Sequence, residues 1–360
     1  MDNTESKSDF ENLDELRHEL TSALSERDNW RIQAQLSENH LNRIFASPAW
    51  KITKPFRILN LLMWKWKPSL RHTEAQTWIP ESKGKTVFEQ VKNQTSFECN
   101  NANLENEKIA YFAQWSSSEK VSASTQVLIK ELIEFGYSVV LVSACESPKD
   151  LEIKDDIREQ ITVIRKPNIG YDFGSWSVAM QLLPATRNAQ NVIVVNDSLV
   201  GPFTDLIDLF TALEASPFDV TGITDSVQMR HHVQSYFLHF KNGSFQNPEI
   251  VDFWNNIFVQ EDKMDVIKSY ELGLTAKGQA AGLFVGALYP WNLVGQYWQN
   301  PSVDGCRRLI NLGFPFVKRE VLRESNSKNL KSLISKVNES FSINENLEQE
   351  ILELRNSRNS

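Results

Sequence analysis

Three features of the sequence predict an α/β fold with a mostly parallel central sheet. From residue 108 to about residue 223, short apolar runs alternate with helical patterns across brief loops, the order expected of parallel strands joined by crossover helices. One run, Asn191–Val195, is almost wholly apolar, as suits a strand buried on both faces. Two runs end abruptly in polar clusters: Asn168-Ile-Gly-Tyr-Asp-Phe-Gly-Ser-Trp176 follows one, and Asn196-Asp197-Ser198 closes the other. Ligands of open α/β sheets bind beyond the carboxyl ends of the strands, so both clusters point to one crevice.

Taken in order, Ile109–Trp115 reads as a strand and Val121–Phe135 as a helix closed by Gly136. Ser138–Ser143 is the second strand; a helix or loop follows, and Ile161–Ile164 is the third. The glycine-bearing motif then forms a loop leading to a helix over Gly174–Leu183. Strand Asn191–Val195, helix Thr204–Ala215 and strand Asp219–Ile223 come next. Val233–Phe240 alternates like a half-buried strand, and Pro248–Phe258 reads as a helix with Phe253 and Trp254 to bury. The domain is expected to span residues 108–323. In 324–360, Leu330, Ile334, Val337 and Phe341 recur at spacings of 4, 3 and 4, which predicts an amphipathic helix able to pair with the N-terminal helix or a second copy.

Residues 1–46 carry Leu13, Leu16, Leu20, Ala23 and Leu24 at helical spacing among charges. That pattern is a polar helix packing on its own domain or a coiled-coil seam, the basis for a homo-oligomer through the terminal helices. Pro48 interrupts it. The segment 47–72 follows, with Trp50, Lys51, Lys54, Phe56, Arg57, Trp64, Lys65, Trp66 and Lys67. Between His40 and His72 there are seven basic residues and no acidic one, although the whole chain has net charge −8. Aromatic residues on one side and cations on the other suit an interfacial helix on anionic lipid; an ordinary core-packed helix is the alternative. Residues 73–107 read as a linker.

The three cysteines are far apart and form no metal or disulfide framework. No apolar run approaches the roughly 18 residues that span a bilayer, and the acidic start is no signal peptide. These features lead us to expect a cytoplasmic protein, peripheral at the inner face of the membrane. The acidic balance and the lack of a nucleic-acid module argue against a nucleic-acid partner.

Glycines at a strand-to-helix turn let backbone N–H groups approach a diphosphate. Asn168, Gly170 and Asp172 offer that turn, although plain glycine-rich connections look the same. Asn196, Asp197 and Ser198 are placed to hold Mg²⁺ or Mn²⁺ with a diphosphate, or merely to cap the next helix. Asp225, His232 and Glu271 are candidate general bases for a sugar hydroxyl, and Arg319 is placed for phosphate. A hydrogen-bonded structural histidine and a surface salt bridge remain the plainer readings of His232 and Arg319.

Six motifs then occur in order. They are Asn-x-Gly-Tyr-Asp-Phe-Gly-Ser-Trp (168–176), Val-Asn-Asp-Ser-x-x-Gly-Pro (195–202), Gly-Ile-Thr-Asp-Ser (222–226), His-x-Gln-Ser-Tyr-Phe (232–237), Tyr-Glu-x-Gly-Leu (270–274) and Gly-Phe-Pro-Phe-x-Lys-Arg-Glu-x-Leu-Arg (313–323). Together they resemble the rhamnan synthesis protein F family of bacterial polysaccharide glycosyltransferases. The Ser47–Arg57 segment also resembles a membrane-proximal element beside such domains. The resemblance implies a GT-A-like nucleotide-sugar-binding domain that transfers rhamnose, or a related deoxyhexose, to a lipid-linked glycan acceptor, with dTDP-rhamnose the favoured donor. It assigns Asn168, Gly170, Tyr171, Asp172 and Gln234 to the donor. It also puts Asn196-Asp197-Ser198 where the usual Asp-x-Asp motif holds a divalent metal, with Asp197 the one carboxylate left. From another class, a non-catalytic nucleotide-sugar-binding scaffold subunit remains the alternative.

Overall fold

The computed structural model describes residues 84–260, 263–325, 327–341 and 345–356. The expected N-terminal helix and the basic segment 47–72 lie outside the described residues.

The strands expected from alternation are present, within a residue or two at most ends. β1 is Ser96–Asn100, β2 Lys108–Gln114, β3 Ser138–Ser143, β4 Thr162–Arg165, β5 Asn191–Asn196, β6 Leu199–Val200, β7 Val220–Ser226, β8 His232–Val233, β9 Phe237–Phe240, β10 Val285–Tyr289 and β11 Val317–Lys318. The main sheet runs β1-β4-β3-β2-β5-β9-β7-β10, with β8 paired to β7. β4, β3, β2 and β5 are mutually parallel, as are β7 and β10, while β9 inserts antiparallel between β5 and β7. This is a mixed α/β fold with a mostly parallel sheet, consistent with a GT-A-like architecture.

Strand side chains alternate between two cores. On β2, Ile109, Tyr111 and Ala113 enter one cluster with Trp176 and Trp254; Ala110 and Phe112 enter the other with Leu128 and Phe210. The crossover helices are α2 (Ala123–Glu134), α3 (Asp155–Arg158), α4 (Tyr171–Leu182) and α5 (Ile207–Ala215). α4 is buried all round from Phe173 to Met180, so it is apolar on every side rather than amphipathic. The Trp176 indole N–H donates to the Val195 carbonyl at 3.1 Å, tying α4 to β5.

Four expectations need correction. The helix after β4 begins at Tyr171, inside the motif, because Gly170 in the left-handed region (φ 88°) caps it. The single strand expected over 233–240 is broken into β8 and β9 by a turn at 234–236. The stretch read as linker contributes α1 (Val87–Val91) and β1 to the fold. Val87 and Val91 are fully buried, and Glu98 on β1 pairs with Arg158 at 2.8 Å and Arg165 at 2.7 Å. Polar edge strands carry no alternation to read, so this segment looked like a linker.

The fourth correction concerns the C-terminus. The chain continues through α6 (Pro248–Asn255), α7 (Lys263–Val266), a π-helical stretch (Ile267–Glu271), α8 (Leu272–Ala280), α9 (Trp291–Val294), α10 (Cys306–Asn311) and α11 (Arg319–Glu324). It ends in two helices, α12 (Ser327–Ser340) and α13 (Glu345–Asn356). Leu330, Leu333, Val337, Leu347, Ile351 and Leu354 pack on Val200, Phe203, Ile310 and Leu322 in a third core. The apolar face expected to serve an oligomer is therefore occupied by the domain itself, and the domain does not end at residue 323.

At Gly170 a Cβ would lie 2.5 Å from a methyl of Val87. Gly170→Ala is expected to cost about 2 kcal/mol or more, from overpacking and from the positive φ. In a Val87→Ala background the same change is expected to cost about 1 kcal/mol less, because the two sites touch. Urea unfolding of the four proteins measures this; equal costs in both backgrounds would contradict the contact.

Candidate functional site

A cavity of about 620 Å³ opens at the carboxyl ends of β2 and β5. Its walls come from the chain after β2 (Trp115, Ser116), the start of α4 (Tyr171, Asp172), the end of β5 (Asn196, Asp197, Ser198), the turn 234–236, the π-helical stretch (Glu271) and the 318–323 segment (Lys318, Arg319). Five basic and four acidic side chains line it.

Long-range pairing builds this site. β6 and β11 form a short antiparallel ladder, Leu199 opposite Lys318 and Val200 opposite Val317. That ladder brings Lys318 and Arg319 beside the polar end of β5. The close approach requires Gly201, where a Cβ would sit 2.5 Å from the Pro315 carbonyl. Arg319 then donates from its backbone N–H to the Ser198 carbonyl at 2.8 Å and from Nε to the Asp197 carbonyl at 2.5 Å. Its Nη2 reaches the Ser122 hydroxyl at 2.6 Å and Glu350 of α13 at 2.6 Å. Glu350 is buried and also accepts from the Ser124 N–H and hydroxyl at 2.7 and 2.8 Å.

The acidic side is equally organised. The Asn196 amide donates to Asp172 at 2.7 Å, while its carbonyl oxygen accepts from the Ser198 N–H at 3.1 Å and hydroxyl at 2.5 Å. The Trp115 N–H donates to Asp197 at 3.3 Å. Burial pushes the Asp197 carboxyl up to about 7; Arg319 opposes this and the Asp172 charge adds to it. Burial also raises Asp172, against its Asn196 hydrogen bond and Lys166. Lys166, itself buried, is lowered to about 8 by desolvation and donates to the carbonyls of Pro167 and Ile169 at 2.8 and 2.9 Å. Burial likewise lowers Lys318, whose Nζ lies 4.8 Å from the Tyr236 ring centroid.

The structure brings together Tyr171, Asp172, Asn196, Asp197, Ser198, Gln234, Glu271 and Arg319. Tyr171 has a positive φ of 53° without being glycine, a strained conformation of the kind found at functional sites. Glu271 accepts from the Ser235 N–H at 2.8 Å, and Gln234 accepts from Thr224 at 2.7 Å and donates to Asn300 at 3.0 Å.

Four sequence candidates lie elsewhere. Asn168 is exposed and does not line the cavity. Gly170 faces Val87, so it serves helix packing and not phosphate approach. Asp225 is held by the Trp291 N–H at 2.6 Å and His231 at 2.8 Å, outside the cavity lining. His232 is buried and bonds the Arg230 carbonyl through Nδ1 at 2.7 Å. Sequence reasoning missed Trp115, Lys263, Lys318 and Glu350. Only Lys318 carried a signal, as Arg319's neighbour in the last motif.

A divalent cation would draw on Asp172 and Asp197. Among the described residues no three His, Cys, Asp or Glu side chains form a metal cluster. Mg²⁺ nevertheless binds through one or two carboxylates when phosphates supply further oxygens. Two carboxylates raised by burial are groups that a cation would relieve, so the residues fit a metal shared with a bound diphosphate.

Fold and cavity together define an α/β protein with a cavity lined by charged residues at the carboxyl ends of its strands. The chain belongs to the rhamnan synthesis protein F family, whose model matches residues 139–354, a family related to polysaccharide synthesis. The chain is 29% identical over 249 residues to the virulence protein VirA of Vibrio anguillarum, covering 58% of this chain and 77% of that protein. It is 25% identical over 193 residues to the uncharacterized protein y4gN of Sinorhizobium fredii, covering 51% of this chain and 49% of that one. It thus spans about half the length of the latter relative. Among the described residues no helix is long and apolar enough to cross a membrane.

Asp197 is held protonated up to about pH 7 in the fold but ionises near its ordinary 3.8 when unfolded. Folding therefore loses stability as pH rises between those values. Asp197→Asn removes that loss, so its melting temperature is expected to gain on the parent protein between pH 4 and pH 8. Parallel thermal melts check this; a constant difference across the range would contradict the raised carboxyl.

Proposed function

We propose that the chain is a glycosyltransferase that moves a deoxyhexose, with dTDP-rhamnose the favoured donor, onto a lipid-linked cell-surface polysaccharide or O-antigen acceptor at the inner membrane surface. The observation that carries this reading is the meeting of Asp172 and Asp197 with Lys318 and Arg319 in one cavity at the strand ends. An acceptor hydroxyl attacks the anomeric carbon, the bond from that carbon to the diphosphate oxygen breaks, and the hydroxyl proton passes to a base. Glu271 lines the cavity, and it keeps one oxygen beyond its Ser235 contact for that proton. Lys318 and Arg319 face the negative charge that develops on the leaving diphosphate. When bound, a divalent cation at Asp172 and Asp197 supplies further positive charge to that group.

The test is acceptor-dependent release of dTDP from dTDP-rhamnose, with UDP- and GDP-sugars as comparison donors and with Mn²⁺ present or removed by chelation. Asp197→Ala and Asp172→Ala are each expected to lower turnover by about 10²-fold or more. Donor binding without release, with a working acceptor present, would replace this reading by that of a nucleotide-sugar-binding scaffold.

The basic segment 47–72 would hold the enzyme beside its acceptor, at about 1 kcal/mol for each cation near an anionic surface. Changing Lys51, Lys54, Arg57, Lys65 and Lys67 together to Gln is expected to release the protein from anionic liposomes. Unchanged co-sedimentation would sink the anchoring idea.

A further inference from the structure

One stretch beside the cavity is built unlike the rest of the chain. No charged residue occurs between Lys277 and Asp304, although 23% of the sequence is charged. The last part of that stretch, residues 291–303, passes through α9 and then an irregular loop to Asn300, which lines the cavity and accepts the Gln234 amide. Large apolar side chains stand in solvent there: Trp298 is 60% exposed, Leu293 51%, and Met229, on the neighbouring turn, 61%. The Tyr297 and Trp298 rings meet edge to face, with centroids 4.8 Å apart.

The loop is tied by hydrogen bonds of its own and by one from the turn after β7. The Gln228 amide donates to the Trp298 carbonyl at 2.8 Å, which joins the turn after β7 to the loop after β10. The Gln299 side chain accepts from the Gln296 N–H at 2.8 Å, and Asp304 accepts from the Asn300 N–H at 2.7 Å. Exposed apolar side chains gathered on a loop that leads to a cavity-lining residue, Asn300, are the kind of patch that binds a partner. A flat indole on a loop rich in amides, in a stretch with no charge between residues 278 and 303, suits a neutral ligand with an apolar face and a hydroxyl rim. A saccharide has that form, and a deoxyhexose more so, because its methyl group adds apolar surface.

We propose that the 291–303 loop, with Trp298 exposed near its middle, is the platform for the acceptor saccharide, stacking one sugar ring on the indole while the next reaches the cavity past Asn300. The proposal rests on the transferase reading and names its second substrate site. The loop's lack of charge favours a neutral glycan over a nucleotide or a phosphate, for which Lys318 and Arg319 are the better partners.

The experiment is ligand-observed NMR on the full chain with a linear rhamnose trisaccharide, which needs no turnover, alongside calorimetric titration of dTDP-rhamnose. Trp298→Ala is expected to weaken trisaccharide binding about tenfold or more, corresponding to about 1.4 kcal/mol. Trp298→Phe is expected to stay within about threefold of the parent, and donor affinity to be unchanged in both. Because Trp298 is exposed, both variants should keep the parent melting temperature. Trisaccharide binding equal in Trp298→Ala and parent, or absent in the parent, would overturn the platform. So would loss of binding to phosphatidylglycerol vesicles in Trp298→Ala without any change toward the trisaccharide, which would make the patch a membrane contact. Failure of dTDP-rhamnose and the other nucleotide sugars to bind would instead remove the donor reading, and the saccharide titration would show this separately.

Discussion

The geometry of the site depends on Arg319. Its backbone and Nε hold the two carbonyls at the exit of β5, and its Nη2 meets the Ser122 cap of α2 and the buried carboxylate of Glu350. One guanidinium thus fixes the relative positions of the strand end, a helix start and the C-terminal helix. A planar fork with several donors suits this role, and a lysine could not replace it. Glu350 also accepts from the start of α2 through Oε2, while its Oε1 meets the partly buried cation as an ion pair at 2.6 Å without a hydrogen bond. The two buried charges are thus paired with each other.

With that anchor in place, the charge pattern of the cavity follows. Asp197 sits next to a guanidinium used mainly for structure, so burial prevails and the carboxyl is raised to about 7. Lys318, turned toward the Tyr236 ring, is lowered by the same desolvation. Carboxylates and ammonium groups that are all costly to ionise gain most when a ligand of opposite charge arrives. A diphosphate with or without a cation would do that for both sets. Strain points the same way: Tyr171, a non-glycine residue with positive φ, lines the cavity, and a π-helical turn carries Glu271 into it. Both are departures from regular backbone that persist at functional sites.

The three cores explain why the ends of the described chain belong to the domain. Val87 and Val91 close one face of the sheet, and the two C-terminal helices close a separate cluster over β6 and β11. That second cluster supports the ladder carrying Arg319, so the packing of α12 and α13 bears directly on the site and not only on stability.

The sequence by itself determined the α/β class, the parallel strands and the polar ends of β4 and β5, because apolar periodicity and abrupt polarity are local properties of a chain. It also pointed to Asp172, Asp197, Gln234, Glu271 and Arg319, all of which line one cavity. What only the tertiary structure decided were the contacts that join distant segments. Gly170 looked like a phosphate loop and is instead matched to Val87, some eighty residues earlier. Asp225 and His232 stood as candidate bases, and each is held by neighbours outside the cavity, as the plainer reading of His232 had it. Segment 84–107 looked like a linker because its strand is a polar edge, and helix 327–340 looked like a free face because its partners lie in β6, α10 and α11. The use of a polar or apolar side chain depends on what the fold packs against it, and no local pattern records that.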